Sequence, residues 1–162
     1  GTGSGAIALA IKHARRDVLV TACDRSDDAL AVAGDNATRL GLELTLLRSD
    51  LLAAVPRPEL GFDAIAANLP YIPTADIADL QPEVRRFEPH LALDGGPDGL
   101  DLVQRLIADS PPFLAPGARL LLEIGAGQAE ATRAALAQRG FVEVDTRRDL
   151  AGIERVVAGT WP

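Results

Sequence analysis

The chain has no methionine, one cysteine, two histidines and no apolar run that approaches the length of a membrane span. Each shortage removes a class of explanation. Cys23 cannot close an internal disulfide, and its place at the end of the apolar run Val18 to Cys23 makes it a small buried hydrophobe in a reducing compartment. His13 and His90 have no companions at metal-ligand spacing, so no metal site is expected. With neither a span nor a signal peptide visible, no membrane attachment is expected and the cytoplasm is the expected location. Positive charge is also in deficit: 16 Lys and Arg stand against 23 Asp and Glu, a net charge of −7. That balance argues against a large nucleic-acid footprint, and direct nucleic-acid binding is not expected. The missing methionine coincides with an opening on Gly1-Thr2-Gly3-Ser4-Gly5, a loop that ordinarily follows a strand. The chain is therefore expected to be a fragment without its N-terminal part.

What is present is ordinary globular material. In 162 residues, 48% hydrophobic and 24% charged, there is enough for one domain with a sizeable core. The chain shows no repeat, no low-complexity segment and no second domain, so residues 1–162 are read as a single domain.

The opening glycines lead into Ala6 to Ile11, whose small and aliphatic residues suit a helix packed closely on a sheet. Glycines before a helix let backbone approach a ligand, and the helix N-terminus presents N–H groups to it. Gly1, Gly3 and Ala6 also satisfy the dinucleotide pattern GxGxxA. Asp17 to Asp24 reads as the next strand, and Asp24 falls about 20 positions past the glycines, where a carboxylate meets ribose hydroxyls. A loop or helix-capping aspartate is the alternative for Asp24. Ser26 is placed to cap a helix with Asp27 and Asp28 in its first turn, Leu30, Ala33, Ala37 and Leu40 on its apolar face, and Gly41 at its end. Leu44 to Leu47 is a short strand. Asp50 after it could accept from an adenine amino group, with Leu51 against the ring.

Phe62 to Ala67 is short, apolar and bounded like a buried parallel strand, and ligands of open α/β sheets sit beyond the carboxyl ends of such strands. Asn68-Leu69-Pro70-Tyr71 follows it. Asn68 offers a side-chain acceptor, Leu69 a backbone carbonyl, Pro70 a fixed φ, and Tyr71 a flat face. Two acceptors on a stiff turn can take both hydrogens of a planar NH2 group, which favours an amide or a nucleobase amine over a carboxylate. A purely structural turn is the competing reading.

Residues 72–98 read as a long irregular stretch with four prolines and Gly95-Gly96, whose apolar residues Ile77, Leu80, Val84 and Phe87 suggest a lid or substrate wall. Arg85, Arg86 and Glu88 are substrate contacts or a solvated face. Beyond it come a helix over 100–107, a Pro116-Gly117 turn, a strand over 118–124, a helix over 128–139 and two closing strands, 141–146 and 153–157. The alternation of strands and helices after a glycine loop implies a doubly wound, Rossmann-like α/β sheet. A nicotinamide enzyme would use the glycines and Asp24 but leave residues 68–71 without a role. An S-adenosylmethionine enzyme uses all of them.

Gly1 to Ala10, Asp24, Asp50, Asn68 to Pro73, Phe87-Glu88-Pro89 with Ala92-Leu93, Gly95-Gly96 and Asp98-Gly99, Leu121 to Gly125, Asp149 to Gly152 and Arg155 to Val157 together resemble the HemK-like release factor glutamine methyltransferases. The likeness spans nearly the whole chain and is most specific over 87–99. It implies a class I methyltransferase sheet with a closing antiparallel strand, lacking here the family's first strand and N-terminal helical domain. It also implies methyl transfer from S-adenosylmethionine to the glutamine amide in the Gly-Gly-Gln motif of bacterial peptide chain release factors. In that scheme Gly1, Thr2, Gly3, Ser4 and Gly5 hold the methionine end of the cofactor, Asp24 its ribose, and Asp50 and Leu51 its adenine. Asn68, Leu69, Pro70 and Tyr71 form the substrate turn, with Asn68, Pro70 and Tyr71 as the catalytic set and Asn68 also bordering the cofactor. The family usually has a second proline where Leu69 stands, a change that keeps the carbonyl but softens the turn. Asn-Leu-Pro-Tyr also resembles the ribosomal RNA adenine dimethyltransferases, the alternative substrate class. An inactive cofactor-binding relative is the third reading.

Overall fold

A computed structural model describes the backbone of residues 1–162 and every side chain except those of Arg86 and Phe87. The contact and lid roles expected of those two lie outside the described side chains. The chain divides into two compact units, Gly1–Pro56 and Arg57–Pro162.

In the first unit, helix α1 (Ala6–Ala14) leads to strand β1 (Thr21–Asp24), helix α2 (Asp27–Leu40) and strand β2 (Thr45–Arg48). The two strands pair in parallel from Thr21↔Thr45 to Asp24↔Arg48. β1 is shorter than the expected 17–24 because its partner contributes only four residues. Leu19 is left 98% exposed ahead of the ladder. The Ser26 hydroxyl accepts from the Ala29 N–H and caps α2, while Gly41 in the left-handed region and the Leu42 N–H on the Ala37 carbonyl close it. Ala33 and Ala37 of the expected apolar face are buried, and Leu9, Ala37 and Leu42 pack together with Leu44. Leu40, by contrast, is 51% exposed: in the last turn it has run past that core.

The second unit carries strand β3 (Phe62–Asn68), helix α3 (Pro82–Phe87), helix α4 (Asp101–Asp109), strand β4 (Leu114–Glu123), helix α5 (Ala129–Arg139), and strands β5 (Val142–Arg148) and β6 (Glu154–Thr160). The sheet order is β3-β4-β6-β5. β3 and β4 are parallel, and β6 runs antiparallel to both of its neighbours. This is the closing antiparallel strand that the sequence implied. Val103, Leu106 and Ile107, three and four apart on α4, are buried, as are Leu120, Leu122, Val157 and Leu136. Phe141 and Trp161 meet edge to face at 5.3 Å.

Two expectations change here. Pro116-Gly117 is not a turn before β4 but lies within it, where the pairing with β3 slips between Phe62 and Ala64. A proline that cannot donate is tolerated at such an irregularity. The stretch 72–98 is also more regular than its prolines suggest: 3-10 turns over Thr74–Asp79 and His90–Ala92 flank α3. The prolines start these turns rather than prevent them, Pro82 standing at the head of α3. Ile77 is buried there. Among the described residues no helix is long and apolar enough to cross a membrane.

Candidate active site

In the second unit β3 ends on Asn68, opposite Glu123 of β4. The Asn68 side chain is exposed and makes no hydrogen bond among the described residues. Leu69 turns its side chain into the core, 4% exposed, and its carbonyl accepts no hydrogen bond among the described residues. Consecutive residues at the carboxyl end of a parallel strand thus present two unengaged acceptors, a side-chain amide oxygen and a main-chain carbonyl. A planar NH2 group has two hydrogens to give such a pair. Pro70 is half-buried, and so is Tyr71, whose ring edge runs beside Gly125: a Cβ on that glycine would stand 3.2 Å from Tyr71 Cδ2.

The turn is held from behind by residues 93–101. The Ile72 N–H donates to the Leu93 carbonyl, the Gly95 N–H to Ile72 and the Thr74 N–H to Gly96, while Asp101 N–H closes on Gly95. The Asp94 carboxylate accepts from the Thr74 hydroxyl at 2.7 Å and from the Gly96 N–H at 3.0 Å. These bonds, the hydroxyl's first, hold the Asp94 carboxyl below the usual carboxylate range. This gives a physical reason for the glycine-rich composition of the segment. Gly99 has φ +76, and a side chain there would drive into the Tyr71 carbonyl and the Gln128 amide nitrogen; at Gly95 a Cβ would stand 2.8 Å from the Pro70 carbonyl oxygen. Gly99→Ala is therefore expected to cost about 2–4 kcal/mol through backbone strain and a displaced carbonyl. A thermal melt should read this as a Tm lower by roughly 5–15 °C. A melt superimposable on the parent's would contradict the assignment.

In the first unit the glycine loop folds over the end of β1. The Thr2 N–H donates to the Cys23 carbonyl, Gly5 N–H returns to Thr2, and the Asn36 side chain donates to the Ser4 carbonyl. Gly5 caps α1 without any side-chain hydrogen bond. Asp24 is 8% exposed. One of its carboxylate oxygens accepts from the Gly3 N–H at 2.9 Å and the other from the Ser26 N–H at 3.0 Å. Burial works against ionisation of this group, but the N–H donors of Gly3 and Ser26 outweigh it, with smaller help from the Arg25 N–H, and the carboxyl lies below its usual value. Asp24 thus ties down the loops on either side of β1 and does not cap a helix, a place that Ser26 takes; a carboxylate has about four acceptor sites, so capacity remains for hydroxyls.

The sign of the pH effect follows. The folded-state value is depressed, so the contribution is fully present above the unfolded value near ~4 and is lost as pH falls through the lowered folded value. The stability advantage of the parent over Asp24→Asn should accordingly be constant above about pH 5 and shrink below about pH 4. Urea midpoints across that range test this, and an advantage that grows in acid would contradict it.

Asp50 is exposed after β2, whereas Leu51 is buried at 8% with φ +49, its carbonyl accepting from the Cys23 thiol at 3.4 Å. Left-handed backbone is costly for a leucine, and such strain collects where surrounding structure fixes a functional turn. Cys23 is half-buried rather than fully buried, its thiol donating to the Leu51 carbonyl; burial pushes the thiol up. Among the described residues no three of His, Cys, Asp and Glu converge to hold a metal ion.

One residue went unnoticed in the sequence. Gln128 reads there as an ordinary helix start, yet its amide reaches the Tyr71 carbonyl at 2.9 Å and the Asp98 carbonyl at 3.3 Å, and accepts from the Gly125 N–H at 2.8 Å. The available signal was a polar side chain three residues past the glycine that ends a buried strand.

A family model described as a methyltransferase domain matches residues 1–88. The chain belongs to the methyltransferase domain family. It is 50% identical over 160 residues to a release factor glutamine methyltransferase of Gloeobacter violaceus, covering 97% of this chain and 55% of that protein. It is 43% identical over 159 residues to another from Geobacter sulfurreducens, covering 98% and 55%. The chain thus spans about half the length of the curated relatives it matches. The solved structure of a ribosomal protein L11 methylase from Lactobacillus delbrueckii subsp. bulgaricus superposes on all of it with a TM-score of 0.71 at 22% identity, covering 68% of that chain. A methyltransferase from Pyrococcus furiosus gives 0.71 at 16% identity, covering 99% of this chain and 71% of that one. The fold is the Rossmann-like methyltransferase fold expected from the sequence.

Proposed function

We propose that this methyltransferase domain transfers a methyl group from S-adenosylmethionine to the side-chain amide of the glutamine in the Gly-Gly-Gln motif of bacterial peptide chain release factors. The observation that carries this reading is the pair of unengaged acceptors on Asn68 and Leu69, on a turn anchored from behind. The relatives at 43% and 50% identity support it by the substrate in their names.

The first unit suits the donor. Gly3, at φ +54 with open space where a Cβ would stand, and a helix start without a side-chain cap make room for a ligand's charged end. Asp24, ionised and with acceptor capacity to spare, suits ribose hydroxyls, and Asp50 with Leu51 suits adenine. S-adenosylmethionine, when bound, supplies an electrophilic methyl on a sulfonium. Everything else falls to the chain's own residues.

An amide nitrogen is a weak nucleophile because its lone pair is delocalised into the carbonyl. Asn68 Oδ1 and the Leu69 carbonyl, by accepting its two hydrogens, hold the NH2 group in one orientation and draw charge onto the nitrogen. Tyr71 offers its ring as a wall against the flat amide, and Pro70 limits the turn's freedom. The nitrogen gives up one proton as it gains carbon, and the exposed position of Asn68 leaves that proton a path to water. No acid or base is required of the protein. This role entails a domain of residues 1–162 acting in the cytoplasm, in translation termination, with the release factor as partner.

The test is a choice of acceptor. With isotopically labelled methyl donor, a release factor and ribosomal RNA are offered together, and label is expected in the protein fraction. Label in RNA adenine would instead favour the nucleic-acid reading of Asn-Leu-Pro-Tyr.

A further inference from the structure

We infer that Gln128 is a positioning residue for the amide-binding turn, setting the direction of the Leu69 carbonyl through its hold on Tyr71; this rests on the reading of Asn68 to Tyr71 as the substrate site. Gln128 is 9% exposed, and both ends of its amide are engaged. Its Nε2 hydrogens go to the Tyr71 and Asp98 carbonyls, and its Oε1 accepts from the Gly125 N–H. The amide orientation is unambiguous, because a carbonyl can only accept and a backbone N–H can only donate. One side chain therefore ties together the turn after β3, the loop behind it and the turn after β4.

The lever is short. Leu69 precedes a proline, which confines its ψ to the extended range, so its carbonyl is carried with the Leu69–Pro70 peptide plane. Pro70 has a locked φ, so one torsion fewer separates the Leu69–Pro70 peptide from the Tyr71 carbonyl than in an ordinary turn. The Tyr71 carbonyl is the point at which Gln128 grips this stiffened segment. The buried Leu69 side chain secures the other end. Gln128 is itself braced: its N–H donates to Gly125, and its carbonyl accepts from Thr132, which is 1% exposed.

Two substitutions separate positioning from bulk. Gln128→Glu keeps shape and the Gly125 bond but turns a carboxylate toward two carbonyl oxygens. Gln128→Met keeps approximate volume and has nothing to donate. Both should lower kcat by roughly 10–100-fold, the scale of a small displacement of a reacting group, with the dissociation constant for S-adenosylmethionine unchanged within about twofold. The glutamate variant has a signature of its own. Burial against carbonyl oxygens raises its pKa, and once protonated it can again donate to Tyr71. Its rate relative to the parent should rise as pH falls, whereas the methionine variant's ratio should stay flat.

A readout independent of turnover is available because Tyr71 is the chain's one tyrosine. In the chain labelled with 3-fluorotyrosine, the single fluorine resonance should move in both variants and return toward the parent position in acid only for Gln128→Glu. Parent-like kcat in both folded variants, or a shifted resonance without loss of kcat, overturns the positioning role. A parent that moves no methyl to a release factor while the resonance still responds to Gln128 refutes the substrate reading instead, and the inference with it.

Discussion

Asn68→Ala should remove most methyl transfer, roughly 10²–10³ in kcat, the cost of losing one preorganised hydrogen-bonding group at a reacting centre. Cofactor binding and fold should be nearly untouched. The side chain is exposed and hydrogen-bonds to nothing among the described residues, so stability should change by no more than about 0.5 kcal/mol. That combination makes the variant diagnostic: a large kinetic loss cannot be assigned to unfolding. Single-turnover rates, a thermal melt and calorimetric titration with S-adenosylmethionine provide the three numbers. Full turnover would remove Asn68 from the mechanism, and a low Tm would make it a structural asparagine.

Asp24→Ala should act at the opposite end of the reaction. It removes the acceptor for the Gly3 and Ser26 N–H groups together with the proposed ribose contact. A buried donor that loses its partner costs about 1–3 kcal/mol, and the glycine loop is fixed to β1 partly through that carboxylate. S-adenosylmethionine should therefore bind roughly 100-fold more weakly or worse, as loss of about 3 kcal/mol across loop and ribose implies. At saturating cofactor, kcat should recover much of its parent value, because Asn68, Leu69 and Gln128 are unaltered. An unchanged dissociation constant would leave Asp24 as a residue that only holds the loops beside β1.

The parts of this account legible in the sequence are those written in local chemistry. Ser26 with Asp27 and Asp28, then Gly41, defined α2 almost to the residue, since caps depend on neighbours only. The place of Asn68 at the carboxyl end of β3 was likewise visible, because a short apolar run and a following proline bound a strand wherever they occur, although β3 mixes half-buried and exposed residues and is not the buried strand expected. Where a partner decides, local reading falls short. β1 loses Asp17 to Val20 because β2 is short, and Pro116 sits inside β4 because a pairing irregularity admits it. Gln128 is the plainest case: its partners Tyr71 and Asp98 lie 57 and 30 residues away, and nothing in its neighbourhood announces them. The glycines at 95, 96 and 99 were recognisable only as a pattern. Their cause belongs to the tertiary structure: backbone passes close to Pro70 and Tyr71 at Gly95 and Gly99, and the Asp101 side chain lies where a Cβ on Gly96 would stand.

The central claim is that Asn68 and Leu69 present a planar amide nitrogen to a methyl donor. Its most direct measurement is mass spectrometry of a release factor incubated with this protein and methyl-labelled S-adenosylmethionine, followed by peptide mapping. The account predicts a gain of one labelled methyl on the side-chain nitrogen of the glutamine in the Gly-Gly-Gln motif, and none with Asn68→Ala. Label at a carboxylate or lysine, or equal label with and without the Asn68 side chain, would contradict it.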